Sequence, residues 1–199
     1  MDVSTDRAGE PTDEALVARC AAGDRTAFDL LVDRHGAALY RFARRRCGGS
    51  GQAEDAVQDG LLAAWRGAST FRGEAAARTW LFQVVLHACR RGSRRRAGEP
   101  DRHEGLEEAE RLPSGDAAAD LRVDARRTTG ALERALAGLP DESREVLLLR
   151  DVEGLGGEEA AEVLGISIAA MKSRLHRGRL ELKARVEAIL GRAPWEETP

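Results

Sequence analysis

Apolar residues in the first half of the chain recur at three- and four-residue spacing, the period of a helix buried on one side. Leu16, Val17 and Cys20 share one side of a helix that begins near Asp13 and stops at Gly23. Phe28, Leu31, Val32, His35, Leu39 and Phe42 mark a second helix from about Thr26, ended by the loop Gly48-Gly49-Ser50-Gly51. The pattern predicts a third helix over about 52–66 and a fourth from about Ala75 to Arg91 or beyond. Four helices in so short a span predict a compact bundle.

From Gly98 to about Asp124 the periodicity fades. Pro100, Gly105, Pro113, Gly115 and an acidic excess predict a flexible linker, with a transient helix around 107–111. Periodicity then returns and predicts helices over about 129–138, 141–151, 157–164 and 168–189. Leu139-Pro140-Asp141 reads as a helix stop followed by a new N-terminus. The fold class expected is all-α: two small helical bundles, residues 12–97 and 127–191, joined by a flexible acidic linker over 98–126. Polar tails over 1–11 and 192–199 are expected to be disordered or frayed.

Composition supports that class. The chain has 199 residues, 42% hydrophobic and 33% charged but only 4% aromatic, a mix that suits helical bundles better than a β-sandwich. A net charge of -3 argues superficially against nucleic acid, but its distribution argues for it. Arg90 to Arg96 holds five arginines in seven positions, and Lys172 to Arg185 holds six Lys/Arg against one acid, Glu181. Glu99 to Asp124 holds nine acids against three arginines. Blocks of opposite sign predict separate surfaces with separate partners.

Three cysteines, Cys20, Cys47 and Cys89, are widely spaced and odd in number. They make no disulfide framework and fit a reducing, cytoplasmic setting. Cys89 with His87 is not a zinc spacing, so all three read as small buried apolar residues. No stretch is long or apolar enough to insert into a membrane, and the acidic N-terminus is unlike a signal peptide.

Three constellations carry candidate chemistry. The first is Leu164-Gly165-Ile166-Ser167 and the basic helix after it. Gly165 can take the left-handed conformation that ends a helix, and Ser167 can cap the next. Ile168, Met171, Leu175 and Leu182 fall near one face; Lys172, Ser173, His176, Arg177 and Arg179 fall largely off it. Such a helix fits the DNA major groove; the alternative is a bundle with a solvated basic face. The second is a stripe of Asp55, Gln58, Asp59 and Leu62 on one helix face, with Ala53, Val57, Leu61 and Trp65 toward the core. It suits a protein partner bearing arginines, although spacing alone favours an ordinary solvated face. The third is an exposed aromatic-glycine loop at Phe71-Arg72-Gly73 feeding a helix that ends in the arginine run. It could hold an unstacked base and grip phosphates, with Trp80 read as core.

In this order and separation, these pieces resemble the sigma-70 family of RNA polymerase sigma factors, specifically its extracytoplasmic-function (ECF) group. The matching segments are LVARCAAGDRTAFDLLVDRHGAALYRFA, AEDAVQDGLLAAW, FRGEAAARTWLFQVV and the run from ALAGLPDESREVLLLRD to AAMKSRLHRGRLEL. They cover about residues 13–97 and 127–190. The resemblance implies that the first bundle is sigma domain 2. Its Asp55, Gln58, Asp59 and Leu62 would dock on the β′ clamp helices of core RNA polymerase. Phe71, Arg72, Gly73, Arg78, Gln83, His87, Arg90, Arg91, Arg94 and Arg95 would meet the minus-ten promoter element, opening it and holding a flipped base. The second bundle would be sigma domain 4. There Ala169, Ala170, Lys172, Ser173, His176 and Arg177 match positions that read the minus-thirty-five element, and other surfaces meet the polymerase β flap. Family members are often held by a cognate anti-sigma factor. Two positions depart from the family pattern: Ala169-Ala170 stands where Gly-Thr is usual, and His87 where Asn is usual.

No catalytic residue, cofactor or metal is expected. An enzyme using Glu54, Asp55 and Asp59 as metal ligands would need a concave site and a second ligand cluster, and the sequence offers neither. A free-standing helix-turn-helix regulator is the second reading. It leaves the basic run of the first bundle without a role, and a gel shift on duplex alone discriminates the two.

Overall fold

The computed structural model describes residues 10–97 and 118–191. Of the predicted tails, residues 1–9 and 192–199, and with them the predicted transient helix around 107–111, lie outside the described residues. Eight α-helices occur among the described residues: α1 Asp13–Ala21, α2 Arg25–Cys47, α3 Ser50–Gly67, α4 Ala77–Ala97, α5 Ala118–Ala137, α6 Asp141–Leu147, α7 Gly157–Leu164 and α8 Ile168–Leu190.

Local chemistry sets most of the boundaries. The Thr12 hydroxyl accepts from the Ala15 N–H and the Asp24 carboxylate from the Ala27 N–H, so α1 and α2 each begin on a side-chain cap. Gly48 ends α2 at φ 85°, a conformation costly for any residue with a Cβ. α4 begins at Ala77 rather than Ala75 and carries the whole arginine run to Ala97. α5 begins at Ala118, inside the segment expected to be linker. The predicted helix over 141–151 is α-helical only to Leu147. It then widens into a π-helical turn, Leu148–Val152, in which the Glu153 N–H donates to the Leu148 carbonyl.

α3 and α4 pack closely because α3 presents a row of small buried residues, Ala53, Ala56, Gly60 and Ala64. A Cβ at Gly60 would lie 2.7 Å from Val85 Cγ2 and 3.0 Å from Val85 Cα, so only glycine fits this crossing. The expected core-facing row Ala53, Val57, Leu61 and Trp65 does face the core, but the small row supplies its fully buried members. Ala53 is buried, but Val57, Leu61 and Trp65 are half-buried and lean against the core from its side. In the second bundle, Gly178 brings α8 against Leu147 of α6, with the place of its missing Cβ 3.3 Å from Leu147 Cδ1.

The two bundles are docked rather than held apart. One apolar cluster runs through both, with Leu39, Phe42, Phe82 and Leu86 on one side and Leu148, Leu149, Leu155 and Val163 on the other. α2 and α4 of the first bundle meet α5, α6, the π turn and α7 of the second. Polar contacts surround the seam. Glu145 receives Arg46 Nε at 2.7 Å and Arg90 Nη2 at 2.6 Å. Arg46 also reaches Asp141 at 2.7 Å, and Arg41 reaches Glu153 at 3.2 Å. Arginines of the first bundle thus meet carboxylates of the second, and Arg46 and Glu145 are both buried. A buried pair of this kind costs desolvation and fixes one geometry more than it adds stability.

Candidate functional site

α3 forms a ridge on the first bundle. Asp55, Gln58, Asp59 and Leu62 are all exposed on it, and Leu62 is one of the large apolar side chains left open to solvent, at 44%. On one flank of the ridge, Phe28, Tyr40, Val57, Leu61, Leu62 and Trp65 line a groove of about 580 Å³, with Glu54 and Gln58 among its walls. Phe28 and Trp65 meet edge to face, with centroids 5.3 Å apart. On the other flank, Asp55 and Asp59 wall a smaller pocket shared with Arg95 and Arg96. The stripe is therefore an acidic edge beside an apolar trough, an arrangement that takes an amphipathic partner. The groove was readable in part from Trp65 and Leu61, whose larger side chains sit one step off the small row. Glu54, Asp55 and Asp59 lie along an exposed helix face, and no group of three or more metal-ligating side chains occurs among the described residues.

The segment from Phe71 to Arg95 is divided. Phe71 is not the exposed aromatic that the sequence suggests. It is half-buried, with its ring centroid 5.2 Å from that of Trp80, because Trp80 lies across both apolar clusters and offers it a surface. Arg72 and Gly73 are exposed at the loop tip, where Gly73 takes φ 70°. Arg78 turns into the seam: its Nη2 donates to the Glu153 carbonyl at 2.5 Å, and its guanidinium lies 5.5 Å from the Phe82 ring centre. Thr79 donates to Glu159 across the same seam. Gln83 is half-buried, His87 is exposed, and Arg91, Arg94 and Arg95 project into solvent. Partial burial, then the neighbouring charges of Arg90, Arg91 and Arg94, push His87 below its ordinary pKa and keep it neutral near pH 7. Arg90 is not free, because Glu145 is its anion. The structure thus leaves Arg72, His87, Arg91, Arg94 and Arg95 open and covers Arg78 and Arg90 with the second bundle.

The C-terminal constellation is assembled as its residues suggest. Gly165 sits at φ 68°, the Ser167 hydroxyl accepts from the Ala170 N–H at 3.2 Å, and α8 departs from that cap. Met171 and Leu175 are buried and anchor the helix, and Leu182 is half-buried. Ile168, the first residue of α8, is exposed rather than part of the anchoring face. Ala169, Lys172, Ser173, His176 and Arg177 are exposed, and Ala170 is half-buried. Arg179 and Arg174 are engaged within their own bundle, by Asp151 at 2.5 Å and Glu142 at 3.3 Å. Among the described residues, Lys172, His176 and Arg177 make no ion pair, so the open positive charge concentrates on the first turns of α8.

Sequence reasoning missed Arg41, Arg46, Asp141, Glu145 and Glu153. Each reads as an ordinary surface charge, and Arg46 and Glu145 stand 99 positions apart. No helix among the described residues is long and apolar enough to cross a membrane.

Two family models match the two halves of the chain. The family model for sigma-70 region 2 matches residues 31–99, and that for sigma-70 region 4 matches residues 129–182. The chain is 38% identical to the ECF RNA polymerase sigma factor SigM of Mycobacterium tuberculosis, over 92% of this chain and 86% of that protein. It is 33% identical to the RNA polymerase sigma factor CnrH of Cupriavidus metallidurans, over 90% of this chain and 96% of that protein. Among solved structures it resembles CnrH in complex with the cytosolic domain of CnrY, with a TM-score of 0.64, 32% identity, and coverage of 88% of this chain and 97% of that one. It also resembles the sigma factor RpoE in complex with the anti-sigma factor NepR from Bartonella quintana. There the TM-score is 0.61 at 25% identity, covering 82% of this chain and 96% of that one.

Proposed function

The chain belongs to the extracytoplasmic-function group of the sigma-70 family of RNA polymerase sigma factors, and on that premise we propose how its surfaces divide the work of starting transcription. The α3 ridge binds core RNA polymerase in the cytoplasm. Asp55 and Asp59 meet basic groups of the β′ clamp helices, Gln58 adds a polar contact, and the trough beside Leu62 receives an apolar side chain of the same partner. α8 enters the major groove of the minus-thirty-five element, with Lys172, His176 and Arg177 on phosphates or base edges and Ala169 and Ala170 against methyl groups. Arg72, Gly73, Gln83, His87, Arg91, Arg94 and Arg95 meet the minus-ten element, and Phe71 receives an extruded base once its partner Trp80 yields room. The second bundle meets the β flap through a face other than α8.

The docked bundles are the resting form in this reading. Arg78 and Arg90 become available to promoter DNA only when Glu145 and Glu153 withdraw, so polymerase binding and opening are coupled. CnrH has been solved with the cytosolic domain of CnrY, and RpoE with the anti-sigma factor NepR, which supports an anti-sigma partner for this chain as well. In starting transcription the chain lends specificity to the polymerase rather than catalysing a reaction, and this role needs no cofactor.

The observation that carries this reading is the presence of two independent exposed surfaces, the Asp55/Gln58/Asp59 ridge and the capped α8, on one chain that matches both regions of the family. A free-standing regulator would need only the second. Run-off transcription with purified core polymerase tests it. Start-site-specific transcripts are expected with the native chain. Asp55→Ala with Asp59→Ala should weaken core binding at least tenfold while leaving helicity unchanged. Tight binding to duplex DNA without polymerase, and none to core, would overturn the assignment.

A further inference from the structure

Cys47 and Cys89 stand with their sulfurs 3.0 Å apart, although 42 positions separate them in the sequence. Cys47 is the last residue of α2, and Cys89 lies midway along α4. Their separation is only about 1 Å beyond an S–S bond of about 2.05 Å. Both line the pocket of about 240 Å³ walled by Asp55, Asp59, Arg95 and Arg96. Cys47 is half-buried, whereas Cys89 is sealed from solvent. A small polar solute entering the pocket therefore meets Cys47 first.

The surroundings make the two thiols unequal. The hydrogen bond between the two sulfurs favours a thiolate on Cys47. Burial opposes it, the charges of Arg46 and Arg96 add to it, and the balance holds Cys47 below the ordinary thiol range. Cys89 moves the other way, through the same hydrogen bond and its burial. A low-pKa, reachable thiol beside a buried neighbour is the arrangement of an attacking and a resolving cysteine. Cys20 lacks both features. It lies in the separate cluster of α1, and burial, with Asp24, pushes its thiol up.

We propose that Cys47 and Cys89 form a peroxide-oxidised dithiol pair that closes to a disulfide within the first bundle. The Cys47 thiolate attacks one oxygen of a hydroperoxide, and the O–O bond breaks. A proton is taken up, and water or an alcohol leaves, giving Cys47 sulfenic acid. The Cys89 sulfur then attacks the Cys47 sulfur. The S–O bond breaks, the Cys89 proton leaves with the hydroxide as water, and an S–S bond forms. The two thiols lose two electrons and the peroxide gains them. Gly48 and Gly49 follow Cys47 directly, so the end of α2 has the backbone freedom to close the remaining gap. The crosslink would enclose all of α3. It would also tie together the two residues beside Arg46 and Arg90, the pair that holds Glu145. This chemistry does not depend on the polymerase contact assigned above.

The test uses the full-length reduced chain, treated with a few equivalents of hydrogen peroxide, quenched, denatured and alkylated. Of its three thiols, two should become resistant to alkylation and only Cys20 should react. A proteolytic peptide pair joining Cys47 to Cys89 should appear, and dithiothreitol should reverse it. The oxidised chain should melt higher by about 10 °C. Cys20→Ser should behave as the native chain, Cys47→Ser should form no crosslink, and Cys89→Ser should leave a sulfenic acid on Cys47 that a dimedone probe traps. Three reactive thiols remaining under conditions that oxidise glutathione in the same tube would overturn the proposal. So would Cys47 sulfonic acid beside an intact Cys89, or crosslinks only between chains. The peptide map of the native chain decides the matter even if a serine variant misfolds.

Discussion

Arg90 Nη2 lies 2.6 Å from Glu145 Oε2, an ion pair that joins α4 of the first bundle to α6 of the second. Glu145 is buried, and its other oxygen holds the equally buried Arg46. Removing the carboxylate leaves Arg46, among the described residues, with Asp141 alone, which is itself half open to solvent. Stranding a buried charge costs about 3–5 kcal/mol, and here the loss falls on the contact between bundles rather than on either bundle alone. Glu145→Ala is therefore expected to enlarge the radius of gyration in small-angle scattering while helicity stays constant. It should also raise transcription at limiting protein, because Arg78 and Arg90 are uncovered. Arg90→Ala should loosen the same contact without the gain in transcription, since it also removes a proposed DNA contact. Unchanged scattering for Glu145→Ala would refute the role given to the seam.

The parts legible in the sequence are those encoded over a few neighbouring residues. Gly165 and Ser167 announce a turn and cap within one helical turn of each other, and the structure builds both. The seam is different in kind. Arg46 and Glu145 carry no local signature, and their pairing exists only once two separate bundles have folded. Phe71 failed for a related reason: whether an aromatic is exposed depends on what lies across from it, here Trp80. The start of α5 at Ala118 was hidden by the acids and glycine just before it, since composition registers charge more strongly than helical propensity.

Gly60 is the tightest point of the first bundle, and its replacement pits two effects against each other. Alanine is the better helix former by about 1 kcal/mol. Its methyl, however, would sit 2.7 Å from Val85 Cγ2 and 3.0 Å from backbone that cannot move aside alone. Overpacking of this kind costs about 1–3 kcal/mol, so Gly60→Ala should lower stability in urea denaturation. Gly51 lies in the same helix with nothing near the place of its missing Cβ. Gly51→Ala should instead raise the midpoint, and equal effects from the two variants would contradict the packing described.

Acid should weaken the joint between α1 and α2. Asp13 Oδ2 lies 2.5 Å from His35 Nε2, and Asp13 Oδ1 lies 2.8 Å from Arg34 Nη1. The His35 hydrogen bond, followed by the bond and charge of Arg34, outweighs burial and holds this carboxyl below its ordinary value of 3.8. Asp24, bonded by Arg19 and by the start of α2, is lowered as well. A depressed folded pKa means that the unfolded chain takes up its proton first as pH falls. The stabilisation is complete above the ordinary carboxyl range, and it fades as pH drops through about 4 toward the lower folded value. Asp13→Asn should lose stability at pH 7 and show a shallower acid decline in urea midpoints between neutral pH and pH 3. An identical pH profile for variant and native chain would remove Asp13 from the account.

Charge on α8 is not equally available. Arg179 is held by both oxygens of Asp151, at 2.5 and 2.9 Å, while Lys172 and Arg177 project into solvent. If α8 reads the upstream promoter element, Lys172→Ala and Arg177→Ala should each weaken promoter binding by the polymerase complex. A residue that contacts phosphate should also lower the slope of log affinity against log salt by about 1. Arg179→Ala should leave both quantities close to native, because its guanidinium is already spent inside the bundle. Whichever of Lys172 and Arg177 contacts a base edge rather than phosphate should keep the salt slope and lose discrimination at one base pair, by about 1–3 kcal/mol. Fluorescence anisotropy across a salt series, repeated on single-base variants of the duplex, separates the two cases. A larger loss from Arg179→Ala than from Arg177→Ala would mean that the helix meets DNA on a different face.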